Sequence, residues 1–144
     1  MIRHAKIEDI AAIVKIEKKV FKETLGDQFL YQEIKENPFA VYYVYEMGHE
    51  VIGYIGFRYD QSFCEMMNFC MTPTHQNEGY GKELLEVSMH EMMSLGVKTF
   101  TLEVRQSNLV AQHVYERMGF KKSHIRKNYY QNEDAIVYIK EVQA

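Results

Sequence analysis

The stretch Gln76-Asn77-Glu78-Gly79-Tyr80-Gly81-Lys82-Glu83-Leu84-Leu85-Glu86-Val87 decides how this chain is read. Two glycines stand one residue apart where a helical run begins. The first turn of a helix leaves backbone N–H groups without partners, and the helix dipole adds partial positive charge there. Glycine has no Cβ, so an anion can approach the main chain closely. The pair therefore reads as a candidate phosphate cradle, although a turn that merely opens a helix fits the same residues. Two familiar phosphate motifs fail. The P-loop needs Gly where Gln76 stands and Ser or Thr where Glu83 stands, and the dinucleotide fingerprint needs Gly where Leu84 stands.

The surrounding pattern alternates between helical and strand periods. Ile10, Ile13, Val14, Ile16, Val20 and Phe21 place an amphipathic helix over 7–21. A shorter helix over 28–35 should stop before Asn37-Pro38, because the residue preceding proline avoids helical angles. The β-rich runs 40–46 and 50–60, joined through Met47-Gly48-His49, predict a hairpin. A third strand over 65–71 ends at Thr72-Pro73. The helix opened by the glycine pair runs over 79–95 with Leu84, Leu85, Val87, Met89, Met92, Met93 and Leu95 as its apolar set, closed by Gly96. A strand over 98–104, a helix over 108–118 stopped by Gly119, and a final strand pair over 120–130 and 135–142 complete the chain. Gln131-Asn132-Glu133-Asp134 turns between the last two. This order predicts an α/β domain with a mixed sheet, and a right-handed parallel crossover over 65–104.

Composition narrows the function. The 144 residues include only two prolines and are 47% apolar, which suits one domain with a sizeable core. A net charge of −3 argues against a nucleic-acid partner and is mildly favourable to cationic substrates such as amines. The charged start MIRHAKIEDI carries no long apolar run, so neither an export signal nor a membrane span is expected, and a cytoplasmic location is. Cys64 and Cys70 then read as reduced thiols rather than a bridge. The six histidines show no metal-ligand spacing, and no metal is expected.

Several linked motifs carry a resemblance. Gln76-Asn77-Glu78-Gly79-Tyr80-Gly81 is similar to the Gln/Arg-x-x-Gly-x-Gly signature of the GCN5-related N-acetyltransferases (GNAT), which cradles the pyrophosphate of acetyl-coenzyme A. MNFCMTP (67–73) resembles the strand before that signature. TLEVRQSN (101–108), HVYERMGF (113–120) and RKNYY (126–130) with EDAIVY (133–138) resemble the ribosomal-protein-alanine N-acetyltransferases, the RimI group. The resemblance spans about residues 65 to 140. It implies a single acetyltransferase domain over 1–144, with a mixed, mainly antiparallel sheet of about six to seven strands flanked by about four helices. The signature loop in that group is usually basic, whereas Gln76, Asn77 and Glu78 are together negative here. The Phe-Pro-x-Pro-Trp-like stretch often found after the first helix is replaced by FKETLGDQF (21–29).

The resemblance also assigns roles. Phe69, Cys70 and Met71 would pair with the pantetheine arm through their backbone. Gln76, Asn77, Glu78, Gly79, Tyr80, Gly81 and Lys82 would form the pyrophosphate loop, and Asn108 would contact pantetheine while capping the following helix. Glu103 corresponds to the general base, acting directly with a pKa raised by burial or through a water. By strand alternation Glu103 shares a face with Thr101, opposite Phe100, Leu102 and Val104, where a solvated carboxylate would equally fit. Tyr115 corresponds to the acid that protonates the departing thiolate, while its place beside Val110, Val114 and Met118 equally suits a packed core tyrosine. Tyr129 and Tyr130 would meet the acceptor.

The acceptor class follows partly from chemistry. An α-amine has a reference pKa of about 7.7–8.0 against about 10.4 for lysine, so it is neutral far more often near pH 7.5. An acceptor protein N-terminus, with a small-subunit ribosomal protein as the group's target, is therefore expected. A small amine such as a polyamine or antibiotic is the alternative, and a non-catalytic coenzyme A-binding module is a third reading. An acetyl-cysteine relay is disfavoured, since the thioester donor is already activated.

Overall fold

A computed structural model describes residues 1–21, 24–76, 78–130 and 132–142. Among them, seven strands and four α-helices follow in the order β1 (Ile2–His4), α1 (Ile10–Val20), α2 (Asp27–Tyr31), β2 (Ala40–Met47), β3 (Glu50–Asp60), β4 (Phe63–Met71), α3 (Tyr80–Ser94), β5 (Thr99–Arg105), α4 (Leu109–Arg117), β6 (Lys121–Tyr130) and β7 (Glu133–Glu141). One sheet holds all seven strands in the order β1-β2-β3-β4-β5-β7-β6. Every neighbouring pair is antiparallel except β4 and β5, which are parallel, as the helical connection between them predicts. α2 continues as a wider turn over Gln32–Glu36 and ends before Asn37-Pro38. Strand β1 was not foreseen from the sequence. At three residues it is too short to show an alternating pattern, and it is held by pairing with Tyr43–Tyr45.

The sheet buries both faces, each against its own helices. On one face Leu84, Leu85, Met89 and Met92 of α3 pack with Phe57, Phe100, Leu102, Val104 and Tyr138. On the other, Ile10, Ile13 and Ile16 of α1 and Leu30 of α2 cover Tyr42, Val44, Tyr54 and Cys70. A buried carboxylate ties the second layer down. Glu17 accepts from the Tyr54 hydroxyl at 2.6 Å and the Leu25 N–H at 3.3 Å, and burial raises its pKa.

Two expected apolar stripes are narrower than their sequence suggests. On α3, Val87 and Met93 are 40% and 38% exposed, and Leu95 lies outside the helix and is also exposed. On α4, Val110 is 75% exposed and Val114 also faces outward, while Gln112 and Tyr115 are buried. The helix docks through Ala111, Tyr115 and Met118, a narrow i, i+4, i+7 seam, so its other apolar residues are left at the surface.

Candidate active site

The site begins where the sheet opens. β4 and β5 pair only through Phe63–Glu65 and Thr99–Thr101. Beyond Glu65, β4 continues along β3 as far as Met71, whereas β5 continues along β7 as far as Arg105. A bulge helps part them. Phe57 pairs with Met66 and Gly56 with Asn68, so Met67 is an extra residue in β4 and bends that strand. The edge of β4 over 66–71 has no ladder with β5, which leaves backbone groups of Phe69 and Met71 on the side of the opening. Cys70, two residues from the Thr72 whose N–H donates to the Ile52 carbonyl at 2.7 Å, turns its own toward β3, against the expectation that all three face a ligand.

α3 starts beside the end of that edge. Its N-cap, Gly79, has φ +87°, a left-handed conformation that a side chain would strain, and no side chain caps the helix. The Glu83 N–H reaches the Gly79 carbonyl at 3.1 Å, so the preceding first-turn N–H groups have no helical acceptor. Gly81 is also set by packing. A Cβ there would lie 3.2 Å from Met71 Cγ and 3.5 Å from Phe69 Cζ, so the missing side chain lets the helix sit close against β4. Gln76, though exposed, reaches back to β4, donating through Nε2 to the Met71 carbonyl at 3.1 Å. Tyr80 packs edge-on against Tyr45, whose hydroxyl donates to Glu83 at 2.9 Å. Glu78 is exposed, and Lys82 extends into solvent 3.8 Å from Glu86. Asn77 lies outside the described residues, as do Lys22 and Glu23 of the 21–29 stretch and Gln131 of the β6–β7 turn.

Glu103 stands across the opening. Cys64 and Phe100 are register partners in the α3-side core, so by alternation Glu65, Thr101 and Glu103 face the α1 side of the sheet. The burial expected for Glu103 is not what surrounds it. Its side chain is 20% exposed and accepts from Arg126 Nη1 at 2.6 Å. Arg126 in turn lies over the Tyr129 ring, 4.3 Å from its centroid. The Glu103 carboxylate beside the Tyr129 hydroxyl, with some burial, pushes that phenol up to about 12.

The two tyrosines meet because β6 is irregular. Asn128 has φ +53°, its N–H donates to Asp134 Oδ1 at 2.8 Å, and the β6–β7 register breaks between Arg126 and Tyr130. Adjacent strand residues normally point to opposite faces, but here the Tyr129 and Tyr130 rings touch edge-to-face at 5.1 Å. Tyr130 lies under Arg105, 4.0 Å from the guanidinium carbon, and burial raises its pKa. Glu133 holds Arg105 at 3.2 Å and accepts from the Ser107 N–H and hydroxyl.

Tyr115 is buried, with its ring 5.7 Å from Phe120. Burial, and then Tyr130 nearby, raises its pKa well above the ordinary phenol range, so it stays protonated. Among the described residues no fully buried side-chain polar atom lacks a partner. Asn108 caps α4 as expected, Oδ1 accepting from the Ala111 N–H at 3.1 Å. Arg105 and Arg126 were the residues that sequence reasoning passed over. Arg126 stood in the RKNYY motif, but nothing in the pattern tied it to Glu103. Cys64 and Cys70 are free and buried, and burial pushes both thiols up to about 12. Among the described residues no set of three His, Cys, Asp or Glu converges to hold a metal, and no helix is long and apolar enough to cross a membrane.

Known proteins are similar to this chain in sequence and in fold. An enzyme of Haemophilus influenzae named [ribosomal protein bS18]-alanine N-acetyltransferase is 32% identical over 87% of this chain and 77% of its own. An N-alpha-acetyltransferase of Sulfurisphaera tokodaii is 30% identical over 93% of this chain and 88% of its own. The crystal structure of the ribosomal-protein-S18-alanine N-acetyltransferase from Escherichia coli superposes with a TM-score of 0.93, at 25% identity, over 100% of this chain and 94% of that one. The model of the acetyltransferase (GNAT) family matches residues 9–120, which include the strand opening, the α3 amino terminus, Glu103 and Tyr115. By that match and those relatives, the chain belongs to the acetyltransferase (GNAT) family.

Proposed function

We propose that this acetyltransferase moves the acetyl group of acetyl-coenzyme A directly onto the N-terminal α-amine of a protein, with the alanine terminus of ribosomal protein bS18 as its first candidate acceptor. The observation that carries the reading is the open edge of β4 running into an uncapped helix start, with Glu103 on the strand across the gap. Those features fit acetyl-coenzyme A without any metal. An extended pantetheine arm can add to the edge of β4 through the backbone of Phe69 and Met71, on either side of Cys70, as a further strand would. The first-turn N–H groups of Tyr80, Gly81 and Lys82 suit the pyrophosphate, joined by Gln76, Asn77, Glu78 and Gly79 of the loop. Asn108 borders the same arm.

Bound acetyl-coenzyme A supplies an activated thioester, and the chain's residues do the rest. Glu103 takes the proton from the attacking amine. A β4 backbone N–H polarises the carbonyl oxygen. Tyr115, kept protonated by its burial, hands a proton to the leaving thiolate. Tyr129 and Tyr130 wall the acceptor side. Cys64 and Cys70 are spectators, because thiols held near 12 offer almost no thiolate. The chain would act as one domain over residues 1–144, in the cytoplasm beside its acceptor.

The test is turnover of acetyl-coenzyme A, followed as thiol release, with a peptide copying the bS18 amino terminus. A polyamine, an aminoglycoside and an α-blocked lysine peptide run beside it. Preference for the free α-amine supports the reading. A polyamine or antibiotic turned over faster than any peptide would replace it, and coenzyme A binding without turnover of any amine would reduce the chain to a binding module.

A further inference from the structure

We infer that Arg126 is the acceptor site's built-in competitor, a cation that occupies the place of the substrate's ammonium on Glu103 and must leave before the acceptor can bind. The inference rests on the reading of Glu103 as the base. Its geometry is independent of that reading. The Arg126 Nη1 donates to Glu103 Oε1 at 2.6 Å, so the carboxylate that would accept the amine's proton already holds a cation. An ammonium needs the same oxygen at the same distance to pass its proton on.

The neighbouring charges single out Arg126. Arg105, one alternation along β5, is engaged by Glu133 at 3.2 Å and by the Tyr130 ring. Lys127 is 3.7 Å from Asp134. Glu65, on β4 and on the same side of the sheet, adds to the field that holds the Arg126 charge. Among the described residues, Arg126 is therefore the cation paired with Glu103.

The structure also makes release easy. The Arg126 side chain is 49% exposed on the outer strand β6, where an ion pair contributes little. Its guanidinium already lies over the Tyr129 ring, which can keep it by cation–π attraction once the carboxylate is taken. Arg126 thus sets a threshold for amines, yielding to an acceptor that brings other contacts and resisting a bare cation.

Removing a competitor improves binding, whereas damage to a site weakens it, so the sign separates the two. Arg126→Gln keeps the aliphatic stem and a polar end at an exposed position and should fold like the parent. We expect its acceptor KM to fall by about 1.5- to 5-fold, the equivalent of an exposed ion pair. The acetyl-coenzyme A affinity by calorimetry should stay unchanged, and Arg126→Lys, which retains a cation, should stay near the parent KM. In the double variant with Glu103→Gln the gain should vanish, since there is no carboxylate to compete for. An unchanged or raised acceptor KM in Arg126→Gln, with Glu103→Gln strongly impaired, overturns the role of Arg126 alone. Parent-like turnover by Glu103→Gln overturns the base reading, and this inference with it.

Discussion

Replacing Glu103 by Gln tests the mechanism where structural and catalytic effects differ most in size. The amide keeps the shape of the side chain and an oxygen for the Arg126 guanidinium, so the strand and its neighbours have little reason to move. What is lost is a half-exposed ion pair, with side chains 49% and 20% exposed, worth at most about 1 kcal/mol. For a domain of this size that is a fall in Tm of about 5 °C or less. Loss of a general base costs about 10²- to 10⁴-fold in rate, which is about 3–5 kcal/mol on the barrier. The catalytic effect should therefore exceed the structural one several-fold, and donor affinity should be unchanged. The loss should also shrink with pH. An α-amine near its reference pKa is about a tenth to a sixth neutral at pH 7 and over about nine-tenths neutral at pH 9, so a variant without its base recovers as the amine deprotonates unaided. Initial rates from pH 6 to 9, with melting curves on the same preparations, are the assay. A parent-like rate at pH 7 refutes the reasoning and makes Glu103 a structural strand residue.

Tyr115→Phe should lower kcat by less than Glu103→Gln does, because a thiol near the cysteine reference of about 8.5 is a good leaving group, and high pH should not restore the rate; the same pH series reads both outcomes. Gly81→Val should weaken acetyl-coenzyme A binding at least about ten-fold and also lower Tm, since its Cβ would start 3.2 Å from Met71 Cγ and overpacking costs about 1–3 kcal/mol. Unchanged donor affinity in calorimetry would remove the cradle from that loop. Arg3 holds Asp9 and Glu46 below the usual carboxylate range by hydrogen bonds, so these groups contribute stability above their unfolded values of about 4, and it is lost as pH falls through their lower folded values. In Arg3→Met the decline in Tm as pH falls below about 4 should accordingly be shallower than in the parent.

Much of this fold could be read from the chain because its elements are written in local periodicity. The β2–β3 hairpin, the helix between β4 and β5, and the N-cap Asn108 each depend on residues within a few positions, and each lies within a residue or two of its expected place. β1 is the exception among the strands. Its three residues take their conformation from Tyr43–Tyr45, about forty positions away, and no local pattern records that. The exposed stripe of α4 has the same origin. Val110 and Val114 look like core by spacing, yet the helix turns Ala111, Gln112, Tyr115 and Met118 toward the sheet and leaves both valines outside.

The site divides along the same line. The candidates for the chemistry came from motif resemblance, since a single glutamate on an alternating strand or a tyrosine on a helix face has an ordinary structural reading. How they meet depends on two irregularities that pair distant segments, the extra residue Met67 opposite Gly56–Phe57 and the left-handed Asn128 opposite Asp134. The first bends β4, at the point where its edge is left without β5. The second folds Tyr129 beside Tyr130 and carries Arg126 to Glu103, twenty-three positions earlier. Gly81 makes the point most sharply. Its spacing from Gly79 suggested a ligand, but the atoms a Cβ would meet belong to Met71 and Phe69 of the preceding strand. A glycine that packs this closely also seats the helix against β4, which sets its free N–H groups at the end of the open edge.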